Sequence, residues 1–140
     1  MKKLMNDIAM MHEKFGFLPA NSPLQANCSL MLMRINFLRE EMSELYNAYQ
    51  ENNEDDFLDA IIDILVVVVG TAHLAGLFPV LEEAWDRVMT ANMLKEKGQG
   101  KRGHPMDLVK PAGWKHPIME DLINRLYNHN QSRINQKPSG

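Results

Sequence analysis

Cysteine is almost absent: Cys28 stands alone among 140 residues. One thiol cannot close an internal disulfide, so no oxidising compartment is required and the cytoplasm is the expected location. Long apolar runs are missing too. Residues 64–69 form the longest, far short of the roughly 20 residues a helix needs to cross a bilayer, so no membrane partner is expected. The opening Met1-Lys2-Lys3-Leu4-Met5-Asn6-Asp7 turns polar at once, unlike a signal peptide. Positive charge is scarce: 15 Lys and Arg face 18 Asp and Glu, a formal net charge of −3. A broad basic footprint for nucleic acid is therefore not expected. Residues 98–103 are glycine-rich and basic but lack the G-x-x-x-x-G-K-[ST] pattern of a phosphate-binding P-loop.

What is present is helical periodicity. The composition, 45% hydrophobic and 24% charged, is that of one ordinary globular domain, placed at residues 1–130. Leu4, Ile8 and Met11 share a face and predict a helix over 4–14. Gly16, Pro19, Asn21 and Pro23 break the chain. Leu30, Met33, Phe37, Leu45 and Ala48 recur at helical intervals and predict a second helix over about 24–51. Asn52-Asn53 ends it. Glu54, Asp55 and Asp56 then put negative charge in the first turn of a third helix, where the macrodipole favours it, running to about residue 75. Its centre is apolar on every side, which predicts burial in the middle of an oligomer. Pro79 opens a fourth helix, to about residue 97. Residues 98–116 read as a flexible loop, 117–130 as a last amphipathic helix, and 131–140 as a frayed tail. The fold class is all-α: an antiparallel bundle of four to five helices, completed by oligomerisation.

The carboxylates carry the chemistry. Glu40 and Glu44 are four apart, and Glu41 and Glu44 three apart, so each pair shares one side of the second helix. Asp59 and Asp63 are paired likewise on the third. Asp63 is the sharpest anomaly, set among Ile61, Ile62, Ile64 and Leu65, where a bare charge is costly. Residues 40–86 hold no Lys or Arg to neutralise it. Acids converging from two helices repel unless a cation sits between them. An all-oxygen set of this kind suits Mg²⁺, with Mn²⁺ as the alternative. The bland alternatives are a solvated acidic face and an Asp63 paired with an arginine of another subunit. A di-iron bundle would add a Glu-x-x-His motif, which is absent. His73 reads as a packed core histidine and Cys28 as an inert thiol. Phe37, Trp85 and Trp114 read as structural rather than base-stacking.

The segment Arg39-Glu40-Glu41-Met42-Ser43-Glu44-Leu45 resembles the E-E-x-x-E-L motif of the all-α nucleoside triphosphate pyrophosphohydrolases, the MazG-like and phosphoribosyl-ATP pyrophosphohydrolase-like proteins. Leu58-Asp59-Ala60-Ile61-Ile62-Asp63-Ile64-Leu65 resembles their second acidic helix. Thr90-Ala91-Asn92-Met93-Leu94-Lys95 is similar to an S-N-M-x-K segment. Met11-His12-Glu13-Lys14-Phe15-Gly16 resembles an F-H-x-x-F-G opening, and Lys110-Pro111-Ala112-Gly113-Trp114 a K-P-x-G-W tail. The likeness covers most of residues 8–122. It implies a homodimer or homotetramer that cleaves a nucleoside triphosphate to the monophosphate and pyrophosphate. It implies Glu41, Glu44 and Asp63 as metal ligands, Glu40 as the residue that orients or deprotonates water, and Asn92 and Lys95 as phosphate contacts. Many members carry E-x-x-D on the second acidic helix. Here position 60 is Ala, which leaves Asp59 or Asp56 as the extra ligand. The rival readings are hydrolysis of phosphoribosyl-ATP and a non-catalytic helical oligomerisation module.

Overall fold

Asn27 and Asn53 each open a helix by the same chemistry. Asn27 Oδ1 accepts the Leu30 N–H at 3.0 Å, and Asn53 Oδ1 accepts the Asp56 N–H at 3.1 Å. Each bond satisfies a backbone donor that the first turn leaves without a partner. The computed structural model describes residues 1–21 and 26–135. Among these, five helices run in the order α1 (Lys2–Lys14), α2 (Cys28–Gln50), α3 (Glu54–Leu74), α4 (Phe78–Met93) and α5 (Glu120–Asn135). Strands β1 (Glu96–Lys97) and β2 (Leu108–Val109) lie between the last two helices. The fold is all-α, as the periodicity predicts.

The α2–α3 hairpin is the most extensively packed pair, and α1 lies against α3. Three residues turn the chain between α2 and α3. Asn52 sits there at φ 54°, a left-handed conformation that asparagine tolerates better than most side chains. The short turn makes the two helices antiparallel, so the C-terminal half of α2 faces the N-terminal half of α3. Arg34 confirms the register from the other end: its Nη2 donates to Val67 O at 3.0 Å and its Nε to Thr71 Oγ1 at 3.3 Å. Further along, α4 and α5 close on each other around Val80, Leu122 and Leu126. Arg87 ties the same pair together, donating to Ile118 O at 2.8 Å and to both oxygens of Asp121.

Several expected boundaries move. Helix α2 begins at Cys28; the expected start at Leu24 lies outside the described residues. Helix α4 ends at Met93, not near Lys97, because Glu96 and Lys97 pair with Val109 and Leu108 as a two-stranded antiparallel ladder. Gly98 allows that approach: a Cβ there would stand 3.2 Å from Val109. The expected loop thus holds β2 and is tied down further by the bond from Trp114 Nε1 to Ala91 O at 2.7 Å. Helix α5 continues to Asn135, so the expected frayed tail is helical over 131–135; residues 136–140 lie outside the description.

Helix α3 is only partly covered within the single chain. Ala60, Val67, Val69, Gly70 and Leu74 are buried, but Leu58, Ile61, Ile62, Leu65 and Val68 are exposed in the single chain. By length and composition this helix could cross a bilayer, with a mean hydropathy of 2.0 over its most apolar window. The six-residue run quoted above understates that, because isolated Asp59 and Asp63 interrupt an otherwise apolar helix.

Candidate metal centre

The antiparallel register brings the two acidic segments face to face. Glu40, Glu41 and Glu44 lie on α2, and Asp59 and Asp63 on α3. Glu41 is the focus. Burial pushes its carboxyl above the usual range, and the charges of Glu44, Asp63, Glu40 and Asp59 push it further, in that order. The other four predicted carboxylates therefore all act on Glu41. Glu41 Oε2 is sealed from solvent and has no hydrogen-bond partner. Such an atom is expensive to leave unpaired. Among the described residues, none of the five carboxylates takes part in an ion pair.

The sequence pointed to Asp63 as the most desolvated acid. In the fold Asp63 is half-buried, and it is Glu41 whose oxygen is cut off from water. Asp56 is exposed and its carboxylate is engaged by Asn53 Nδ2 at 2.6 Å, at the cap of α3. It is not among the groups that perturb Glu41, whereas Asp59 is. Asp59 thus belongs with the Glu41 cluster and Asp56 with the helix cap.

As placed, no three acidic, histidine or cysteine side chains among the described residues close around an ion. The residues still fit a hard divalent cation. The donors are all carboxylate oxygens, one of them is buried without a partner, and among the described residues no ion pair engages any of them.

Asn92 and Lys95, the other predicted site residues, stand elsewhere in the single chain. Asn92 is in the last turn of α4 and its C=O accepts the Lys95 N–H at 3.0 Å. Lys95 Nζ lies 5.3 Å from the centroid of the Trp114 ring. Among the described residues, no contact joins either of them to the acidic cluster.

A second polar node was not legible from spacing. His12 of α1 is buried, and its Nδ1 lies 2.7 Å from His73 Nδ1, so one ring donates and the other accepts. Arg34 reaches in from α2; a Cβ on Gly70 would meet both its guanidinium and the His12 ring. Burial, then His73 and Arg34, hold His12 below the usual histidine range, and burial lowers His73 as well. His73 is thus a packed histidine with a specific partner 61 residues away, a pairing no local pattern announces.

A family model described as phosphoribosyl-ATP pyrophosphohydrolase matches residues 10–92, which take in α2, α3 and the acidic cluster between them. An uncharacterised protein of Acanthamoeba polyphaga mimivirus is 38% identical over 64 residues, covering 42% of this chain. The match spans only 26% of that viral protein's length. With the family model covering more than half of its length, the chain belongs to the phosphoribosyl-ATP pyrophosphohydrolase family, within the MazG-like all-α nucleotide pyrophosphohydrolases.

Proposed function

We propose that the protein is a Mg²⁺-dependent pyrophosphohydrolase that cleaves a (deoxy)nucleoside triphosphate between its α- and β-phosphates. The observation that carries this reading is the partnerless Glu41 oxygen at the convergence of four further carboxylates. Glu41, Glu44 and Asp63 would hold the ion, with Asp59 at its margin. When bound, Mg²⁺ neutralises phosphate oxygens and acidifies water at neutral pH. Glu40 is exposed, as a base that must receive a proton from water and release it to solvent requires. Water adds across the P–O–P linkage, its proton passes to Glu40, and the bridging oxygen leaves with pyrophosphate. Asn92 and Lys95 meet the phosphates, Lys95 as a point charge.

The reading includes a homo-oligomer, dimer or tetramer. The exposed apolar face of α3 supports it, as does the separation of Lys95 from the acids within one chain; lipid cover is the competing explanation of that face. A charged side chain such as Asp59 or Asp63 costs roughly 3 kcal/mol at a bilayer centre, so protein cover suits this face better. Phosphoribosyl-ATP is the second substrate reading, favoured by the family model itself.

The test is pyrophosphate release with Mg²⁺ across common and damaged dNTPs, with phosphoribosyl-ATP alongside. Turnover of at least one of these, lost in Glu44→Gln and Asp63→Asn with helicity retained, is the expected result. Near-normal activity in both variants would remove the assigned site. No turnover, and no Mg²⁺ or Mn²⁺ binding with or without nucleotide, would favour the oligomerisation module.

A further inference from the structure

A line of side chains runs along α2. Met33, Phe37, Glu40 and Glu44 follow one another at intervals of four, three and four residues, so they stand on one side of the helix. At 1.5 Å per residue, Phe37 lies about 4.5 Å along the axis from Glu40 and about 10.5 Å from Glu44. The acidic end of this line belongs to the candidate metal centre. The other end is apolar and open, with Phe37 38% and Met33 42% exposed. Single exposed hydrophobic side chains are ordinary on a protein surface, and from the sequence alone Phe37 reads as structural. In the fold its ring is held in place. The Arg34 guanidinium lies over it, 5.9 Å from the ring centroid. That guanidinium is itself fixed by its bonds to Val67 O and Thr71 Oγ1 on α3. Attraction between cation and ring orients the phenyl group without covering it. Among the described residues, no other aromatic ring or cation meets Phe37.

We propose that Phe37 is the stacking platform for the base of the nucleotide whose phosphates the acidic cluster holds, and that it favours purines. The inference rests on the nucleotide reading above. Phosphates held at Glu40 and Glu44 leave the nucleoside two directions along α2. Toward the α2–α3 turn the same line continues through Asn47 to Glu51, with no aromatic side chain and a further like charge. Toward the start of α2 it meets Phe37 and then Met33, an aromatic face followed by a polarisable thioether. The polar neighbours of the ring are turned elsewhere. Asn36 Oδ1 accepts from Arg39 Nη1 at 3.1 Å, and Arg34 donates to α3. A platform that stacks without reading base edges tolerates every base and ranks them by stacking strength. The larger ring system of a purine therefore binds best.

Binding separates this inference from turnover. Nucleotides with a methylene bridge between the α- and β-phosphorus, which resist cleavage there, are titrated into the full-length protein with Mg²⁺ by calorimetry. Inorganic tripolyphosphate, which has the phosphates and no base, is the control. In Phe37→Ala the adenine and guanine analogues should bind roughly ten-fold more weakly, while tripolyphosphate binds as before and helicity is retained. Phe37→Trp should keep the wild-type affinity. The wild type should hold the purine analogues more tightly than the cytosine and uracil ones. The platform is overturned by no analogue binding in the wild type, by equal nucleotide affinity in Phe37→Ala, or by a parallel loss of tripolyphosphate. Wild-type affinity in Phe37→Leu, or tighter pyrimidine binding, would overturn it too. Phe37-dependent binding in a protein that releases pyrophosphate from no nucleotide would overturn the proposed function and leave the platform standing. Turnover with a KM unchanged in Phe37→Ala would do the reverse.

Discussion

Replacing Glu41 by glutamine should make the metal-free protein more stable and the metal-loaded one inactive. Glu41 holds a charge against burial and four like charges, with one oxygen out of reach of water. Its carboxyl pKa is raised in the fold. As pH rises past the ordinary carboxylate value the unfolded chain releases its proton first, and at neutral pH the ionised folded form bears the whole cost. A neutral amide of the same shape removes that repulsion. The amide keeps a polar atom in place, so only the like-charge repulsion is relieved; taking the upper end of the range for partly exposed charge pairs, the gain is about 1 kcal/mol. For 140 residues the unfolding entropy is about 0.29 kcal/mol/K, so Tm should rise by about 3 °C in chelator. Mg²⁺ at 100 times its Kd should lift wild-type stability by about 2.7 kcal/mol, or about 9 °C. Glu41→Gln should lose most of that lift. Thermal denaturation followed by circular dichroism, with chelator and with saturating Mg²⁺, reads both quantities. A variant no more stable than wild type in chelator, yet still stabilised fully by Mg²⁺, would refute the reasoning.

Other expectations follow from particular contacts. Glu44→Gln and Asp63→Asn should each lower kcat by roughly a thousand-fold, the equivalent of several kcal/mol of transition-state stabilisation, measured by pyrophosphate release with helicity as the folding control. Gly76→Ala should lower Tm by about 7 °C, because φ is +73° and the new Cβ would overlap the Ala20 carbonyl; left-handed strain and overlap together cost about 2 kcal/mol. The His12–His73 node should make stability acid-sensitive. Both histidines are held below their ordinary value, so below about pH 6.5 the unfolded chain takes up protons before the folded one, and stability is lost as pH drops. His12→Gln should flatten that slope in Tm against pH, and an unchanged slope would remove the node from the explanation.

The α2–α3 pair was legible because its punctuation is local. Asn52 and Asn53 stop one helix and cap the next, and the three acids after them mark the first turn. The five carboxylates were legible through their three- and four-residue spacings. Which of them loses its water was not. Asp63 has apolar neighbours in sequence, but Ile61, Ile62 and Leu65 are exposed in the single chain, and burial depends on what the opposite helix presents. Glu41 has polar neighbours in sequence and meets the α3 acids across the interface. The β1–β2 ladder was missed because two-residue strands leave no period to read; it depends on the Arg102–Asp107 pair and the bare backbone of Gly98. The helix over residues 131–135 was missed because Asn and Gln are weak signals in a polar segment.

The central claim is that carboxylates of α2 and α3 share divalent ions. Diffraction at the manganese edge, from crystals grown with Mn²⁺ and a non-hydrolysable nucleotide, tests it most directly. Anomalous density within about 2.2 Å of oxygens from Glu41, Glu44 and Asp63 is expected. Manganese bound at another place, or three carboxylates with no metal between them at saturating concentration, would contradict it.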